Sequence, residues 1–256
     1  MRLFVFGLGY TGKAITAAFG EDGWTSVGST GSEGTVTFDD DDGVAAAMAE
    51  ATHVISTIAP WEGDPVLTRY GSLLEDHWLG YISSTGVYGD TGGAWVDESA
   101  PTQGRRAIRI ACEERWLDLG ATVFRLPGIY GPGRSAIDRL RAGTAHRIGL
   151  PDQVFSRIHV EDAAWAFLAA AADDIRGEIF NIADDLPASA NAVTEEAARL
   201  LGLGPPPLQS LEEAKLSPQA RAFYAENRRV ANGKAKRVLG WLPRYPTYRE
   251  GLASLL

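Results

Sequence analysis

The sequence predicts the α/β class, a doubly wound parallel sheet with a small C-terminal lobe, on three observations. Short β-branched runs alternate with alanine-rich stretches of helical spacing over the first 180 residues. A glycine-rich turn stands directly between the first such run and the first helical stretch. From about Pro127 onward the text changes to Gly-Pro punctuation, with prolines at 205, 206, 207, 243 and 246 marking loops and turns.

The strands are expected at Leu3 to Phe6, Thr25 to Gly28, Thr35 to Phe38, His53 to Thr57, Tyr81 to Ser84, Thr122 to Arg125 and Glu178 to Ile182. Apolar residues at helical spacing place helices at Thr11 to Phe19, Val44 to Ala51, Arg105 to Leu119 and Glu161 to Ala172, with a weaker one at Pro65 to Asp76. The chain of 256 residues then reads as one domain. Residues 1–126 and 161–183 form its core, and 127–160 and 184–256 form a lobe laid across the edge where strands end, the place where open α/β sheets bind ligands.

Composition narrows the function classes. With 45% hydrophobic and 22% charged residues the chain can bury a sizeable core. A net charge of −9 and the lack of any Lys or Arg run speak against nucleic-acid and membrane partners. The acidic run Asp39 to Asp42 reads as a solvated strand-to-helix corner, because a metal loop needs wider, alternating ligand spacing. One cysteine, Cys112, excludes an internal disulfide and reads as a packed helix residue in a reducing compartment. The opening MRLFVFG is too short an apolar run for a membrane span and has no small-residue cleavage site, so the expected location is cytoplasmic.

The segment from Phe4 to Gly12 spells GxGxxG between strand and helix, which makes the fold Rossmann-type and predicts a bound dinucleotide. Gly7 permits the tight turn, Gly9 lets the backbone approach a pyrophosphate, and Gly12 allows close packing of helix on strand. The helix N-terminus then offers N–H groups to the anion. The same residues, Gly7 to Lys13, also fit GxxxxGK of a P-loop, but Ala14 stands where a magnesium-binding hydroxyl is required. The second strand runs into Gly28-Ser29-Thr30-Gly31-Ser32 with no carboxylate at its end. Repulsion of a 2′-phosphate is therefore absent, which leans the cofactor from NAD towards NADP, although no Arg follows and Glu33 stands nearby.

Five stretches resemble the extended short-chain dehydrogenase/reductase superfamily of epimerases and dehydratases: Gly7 to Gly12, Ser83-Ser84-Thr85-Gly86-Val87-Tyr88-Gly89, RLPGIYGPG from Arg125 to Gly133, RIHVED from Arg157 to Asp162, and Leu239-Gly240-Trp241. The GxGxxG spacing looks most like its atypical members. The resemblance implies an NAD(P)-dependent oxidoreductase or epimerase acting on a small polar or nucleotide-linked substrate, and a homodimer through helices flanking the sheet. It gives Ser84, with Thr85 beside it, the role of bonding a substrate hydroxyl or carbonyl.

The family's Tyr and Lys positions fall at Arg105 and Arg109. Guanidinium cannot relay a proton. The two arginines, four apart, instead read either as a clamp for phosphate or carboxylate on one helix face or as solvated surface charges. Tyr88, Tyr130 and His159 are the candidate substitutes for the missing acid, each with packing or backbone bonding as the competing role.

The expected catalytic set is thus Ser84, Thr85 and Tyr88. The cofactor set is Gly7, Leu8, Gly9, Tyr10, Thr11, Gly12, Ser29, Thr30, Ser32, Asp39, Thr57, Ile58, Ala59 and Pro127. The substrate set is Arg105, Arg109, Tyr130, Arg134 and Arg157, with no metal, since the four histidines have no HExxH or paired-cysteine partner. Lys234 and Arg237 read as a basic helix surface. The alternative to an enzyme is a dinucleotide-sensing protein without turnover, favoured by the loss of Tyr and Lys.

Overall fold

The structure is a computed structural model that describes residues 1–30, 35–150, 152–216, 221 and 224–256. In chain order the elements are β1 (Arg2–Phe6), α1 (Tyr10–Glu21), β2 (Thr25–Thr30), β3 (Val36–Thr37), α2 (Asp41–Ala49), β4 (His53–Ser56), α3 (Pro65–Tyr70), β5 (Trp78–Ser84), β6 (Trp95–Val96), α4 (Ala107–Asp118) and β7 (Thr122–Leu126). They continue with β8 (Gly128–Tyr130), α5 (Ala136–Arg141), β9 (Arg147–Ile148), β10 (Arg157–His159), α6 (Val160–Ala172), β11 (Ile179–Asn181), α7 (Ala190–Leu200), β12 (Leu208–Gln209), β13 (Arg229–Val230), α8 (Gly233–Val238) and α9 (Tyr248–Ala253).

Seven of these strands form one sheet in the order β11-β7-β5-β4-β1-β2-β3, with every pair parallel. Each strand of that sheet overlaps one of the seven expected from the sequence. The direction of winding reverses at β1, which pairs with β2 on one side and β4 on the other. That switch point opens a crevice at the carboxyl ends of the strands, beyond Phe6, Ser29 and Ser56.

Strand periodicity sorts β1 onto two faces. Leu3 and Val5 join the layer containing α1 and α6, while Phe4 and Phe6 join the layer under α2, α3 and α4. All four are fully buried. The fifth strand starts at Trp78, three residues before the expected Tyr81. Gly80 looks like a breaker in the sequence, yet a Cβ there would come within 3.0 Å of the Trp78 ring, so the glycine makes room for the indole.

Two motifs of the C-terminal half meet in space. The carboxylate of Asp162 in RIHVED accepts from the backbone N–H of Arg244 at 2.7 Å and of Tyr245 at 3.0 Å, and its carbonyl accepts from Trp241 Nε1. The last segment is thereby pinned onto the start of α6. A second tie, β6 with β13, joins the segment after β5 to the C-terminal part, across the boundary expected at 126.

Candidate functional site

The glycine turn has the geometry its spacing demands. Gly7 sits at φ +93°, donates its N–H to Ser29 O at 2.8 Å, and accepts Thr57 Oγ1 at 2.6 Å. A Cβ on Gly12 would stand 2.0 Å from Gly7 O, whereas one on Gly9 would meet nothing within 4 Å. Gly12 is therefore required by packing, and the space over Gly9 is left open on the side where a ligand must approach. Leu8 lies over Gly28, where a Cβ would meet its side chain at 2.5 Å.

Helix α1 receives no side-chain cap at Gly9 and has no acidic residue in its first turn. By contrast α2, α3, α5, α6, α7 and α9 are capped by the side chains of Asp40, Asp64, Ser135, His159, Ser189 and Thr247. The unpaired N–H groups of α1 and its dipole suit an anion. Beside the turn, the buried hydroxyls of Ser29 and Ser56 have no hydrogen-bond partner among the described residues. Ile58 walls the other side of Gly7. These residues fit the pyrophosphate of a dinucleotide.

The remaining expected cofactor residues are more scattered. Thr11 and Pro127 are half-buried and Ala59 is exposed at the rim. Tyr10 turns its ring under the Arg134 guanidinium, 5.5 Å away. Asp39 is engaged elsewhere, in an ion pair with Arg69 on the edge beyond β3. Ser32 lies outside the described residues, as does the side chain of Thr30.

Ser84 ends β5, half-buried, and its Oγ accepts the N–H of Gly86 at 3.1 Å. Its own hydroxyl proton makes no hydrogen bond among the described residues. Thr85 is buried behind it. Tyr88 differs from the expectation of a reacting phenol. Its hydroxyl donates to Asn181 Oδ1 at 2.8 Å and accepts Arg125 Nη1 at 2.9 Å, and Arg125 is paired in turn with buried Glu113. Burial pushes the Tyr88 phenol up, away from acid chemistry near neutrality.

The other substitutes are also enclosed. The Tyr130 hydroxyl is buried against Gly251, and burial raises its pKa strongly. His159 accepts Glu161 N–H through Nδ1 at 3.3 Å, capping α6, while burial lowers its pKa. Cys112 is buried as expected, and burial raises its thiol. Among the described residues no group of three or more His, Cys, Asp or Glu is placed to hold a metal ion, and no helix is long and apolar enough to cross a membrane.

The two expected clamp arginines do not share a helix face, because α4 begins at Ala107 and Arg105 precedes it. Arg109 is drawn inward beside Tyr81 and is 9% exposed. Arg105 bonds Glu226 Oε1 at 2.7 Å. Arg157 is buried, donating to Ala188 O at 3.0 Å with its guanidinium over the Tyr248 ring.

Glu226 and Arg228 lie beside the Ser84 turn, and the sequence reading did not single them out. Glu226 Oε2 accepts Arg228 Nη1 at 2.7 Å, and the same Nη1 reaches Gly89 O at 2.6 Å. Burial works against the Glu226 charge, but the bonds from Arg105 and Arg228 outweigh it and hold the carboxyl below its ordinary value. The one signal in the sequence was the mixed-charge run Glu226-Asn227-Arg228-Arg229 ahead of the basic stretch.

This fold and turn are of the Rossmann class, and the fold is shared with solved epimerase-family structures. The chain shares 38% identity and a TM-score of 0.86 with a conserved protein of unknown function from Silicibacter pomeroyi DSS, over 99% of this chain and 97% of that one. It is 35% identical over 173 residues to a 3-diazoavenalumate denitrifying reductase of a Streptomyces species, covering 62% of this chain and 55% of the relative. The chain spans about half the length of the curated relatives it matches. Two solved structures share the fold at lower identity. Human epimerase family protein SDR39U1 with NADPH has 17% identity, a TM-score of 0.78 and coverage of 100% and 99%; MoeE5 in complex with UDP-glucose and NAD has 20%, 0.77, and coverage of 100% and 97%. No family model matches the chain.

Proposed function

We propose that the chain is an NAD(P)-dependent oxidoreductase acting on a small polar substrate held at Ser84. The observation that carries this reading is the open, uncapped turn at Gly9, on the carboxyl edge of the sheet where β5 also ends at Ser84. Gly7, Gly9, Gly12 and the first turn of α1 would hold the pyrophosphate. A reduced nicotinamide bound there supplies a hydride. Ser84 would donate a hydrogen bond to the substrate oxygen and fix the reacting group, while Thr57 holds the turn in shape through Gly7 O. The strand end at Gly28 and Ser29 carries no carboxylate, which favours NADP over NAD.

The burial of Tyr88, Tyr130 and His159 bears on the reaction class. A carbonyl reduction needs a proton for the alkoxide it creates. The Streptomyces relative is named as a denitrifying reductase of 3-diazoavenalumate, and loss of nitrogen from a diazo group forms no alkoxide. The same burial supports the second reading, a dinucleotide-sensing protein without turnover.

Thermal shift with NADPH and NAD separately tests the cofactor. Ligand at ~100 times Kd adds about 2.7 kcal/mol, which is read as a rise in Tm. Gly9→Val should abolish that rise and leave the unliganded Tm nearly unchanged, because a Cβ at that position meets nothing within 4 Å. No rise with either nucleotide would sink both readings. Oxidation of bound NADPH at 340 nm in the presence of a carbonyl or diazo compound distinguishes enzyme from sensor.

A further inference from the structure

A charged cluster faces the Ser84 turn from the C-terminal part of the chain. Glu226 is bound by two guanidiniums, Arg105 and Arg228, each at 2.7 Å. Asp90, which also faces Arg228, adds a second carboxylate, so Arg105, Arg228, Glu226 and Asp90 form a charge-balanced cluster beside the Ser84 turn. The cluster is held in place. Asn227 donates its N–H to Asp90 Oδ1 at 2.8 Å, accepts Val154 N at 3.1 Å and donates Nδ2 to Asp152 O at 2.8 Å, while Gln153 Nε2 reaches Glu226 O at 2.7 Å.

The two nitrogens at the tip of Arg228 have different tasks. Nη1 is committed to Glu226 and to Gly89 O. Nη2 makes no hydrogen bond among the described residues, and it looks onto the spot above Gly86. A Cβ built on Gly86 would stand 3.3 Å from Ser84 Oγ and 3.9 Å from Arg228 Nη2, and apart from Gly86 and its two chain neighbours nothing else comes within 4 Å of it. The Ser84 hydroxyl and the Arg228 N–H therefore border the same side of Gly86. The half-buried guanidinium, 16% exposed, is weakly screened there.

We propose that Arg228 and Ser84 form an oxyanion subsite, so that the substrate carries a carboxylate or phosphate close to its reacting group. Arg228 Nη2 binds the anion, and Ser84 bonds the neighbouring oxygen. Glu226 is a positioning residue that orients Arg228 and moderates the positive charge. This names the substrate class of the oxidoreductase reading above and rests on it.

The test uses the full chain saturated with NADPH, so that the turn at Gly9 is filled and added anions report on the second site alone. Inorganic phosphate and oxalate are titrated separately by calorimetry at constant ionic strength, and the stronger of the two identifies the anion. Arg228→Ala should weaken binding about tenfold or more, the loss of one charge-assisted hydrogen bond. Arg228→Lys should recover part of it, since charge remains while the fork is lost. Glu226→Gln should tighten binding several-fold, a change that a folding defect cannot imitate. Equal affinity in Arg228→Ala, weaker binding in Glu226→Gln, or no binding of either anion by the NADPH-loaded wild type would overturn the subsite. Failure to bind NADPH at all would instead remove the reading on which it rests.

Discussion

Asp184 follows β11 and is almost fully buried, with Oδ1 accepting Leu186 N at 3.2 Å and Oδ2 without a partner. Burial pushes its carboxyl up to about 7 against the opposing charge of Arg157, with Asp185, Asp162 and Tyr130 also facing it. An unfolded Asp titrates near ~3.9, so between about pH 4 and 7 the folded chain binds more protons than the unfolded one. The contribution of Asp184 to stability is therefore largest in acid and falls as pH rises through that window. Asp184→Asn should flatten the dependence. Urea midpoints at pH 5 and pH 8 check this: the wild type should lose stability across the interval more than the variant, and equal losses would assign the effect to another group. Single residues differ in how well they are legible in the sequence. Gly7, Gly9, Gly12 and Ser84 act through their immediate neighbours, so spacing reveals them. Glu226 meets Arg105 across 121 positions of chain, and no local pattern encodes that contact.

At the scale of elements, short β-branched runs located the seven strands of the sheet, and β1, β4, β5, β7 and β11 alternate between two apolar layers. Periodicity misplaced the start of α4, and with it the idea of a two-arginine helix face, because Arg105 and Arg106 extend the helical composition past its true N-terminus. The roles of Tyr88 and Asp162 needed the fold. Tyr88 is legible as a motif residue, but only tertiary contact shows it locked to Arg125 and Asn181. Asp162 similarly links two motifs that are far apart in the chain. Asp162→Ala would leave the N–H groups of Arg244 and Tyr245 without acceptors, at a cost of about 1–3 kcal/mol for each group that stays buried. The expected outcome is a lowered urea midpoint together with faster tryptic cleavage after Arg244. Unchanged cleavage would mean that Trp241 and α9 hold the segment without the carboxylate.

Over the whole molecule, the C-terminal part is tied to the sheet from three directions. Asp162 holds the segment before α9, β13 runs beside β6, and Asn227 bridges Asp90 and Asp152. Ties of this number predict one cooperative unfolding transition. Far-ultraviolet circular dichroism and tryptophan fluorescence should give coincident urea curves, and two separated midpoints would show that the C-terminal part unfolds by itself.

Helix α1, alone among the first three helices, enters the fold without a side chain to close its first turn. An N-cap is worth about 1 kcal/mol, so the unliganded chain carries an unfinished helix at the centre of its sheet. An anion docking there would complete that helix, and the amide protons of Tyr10 to Gly12 should pass from solvent-exchanging to protected when NADPH is added. Under the proposed function, cofactor loading would then be the last step of folding.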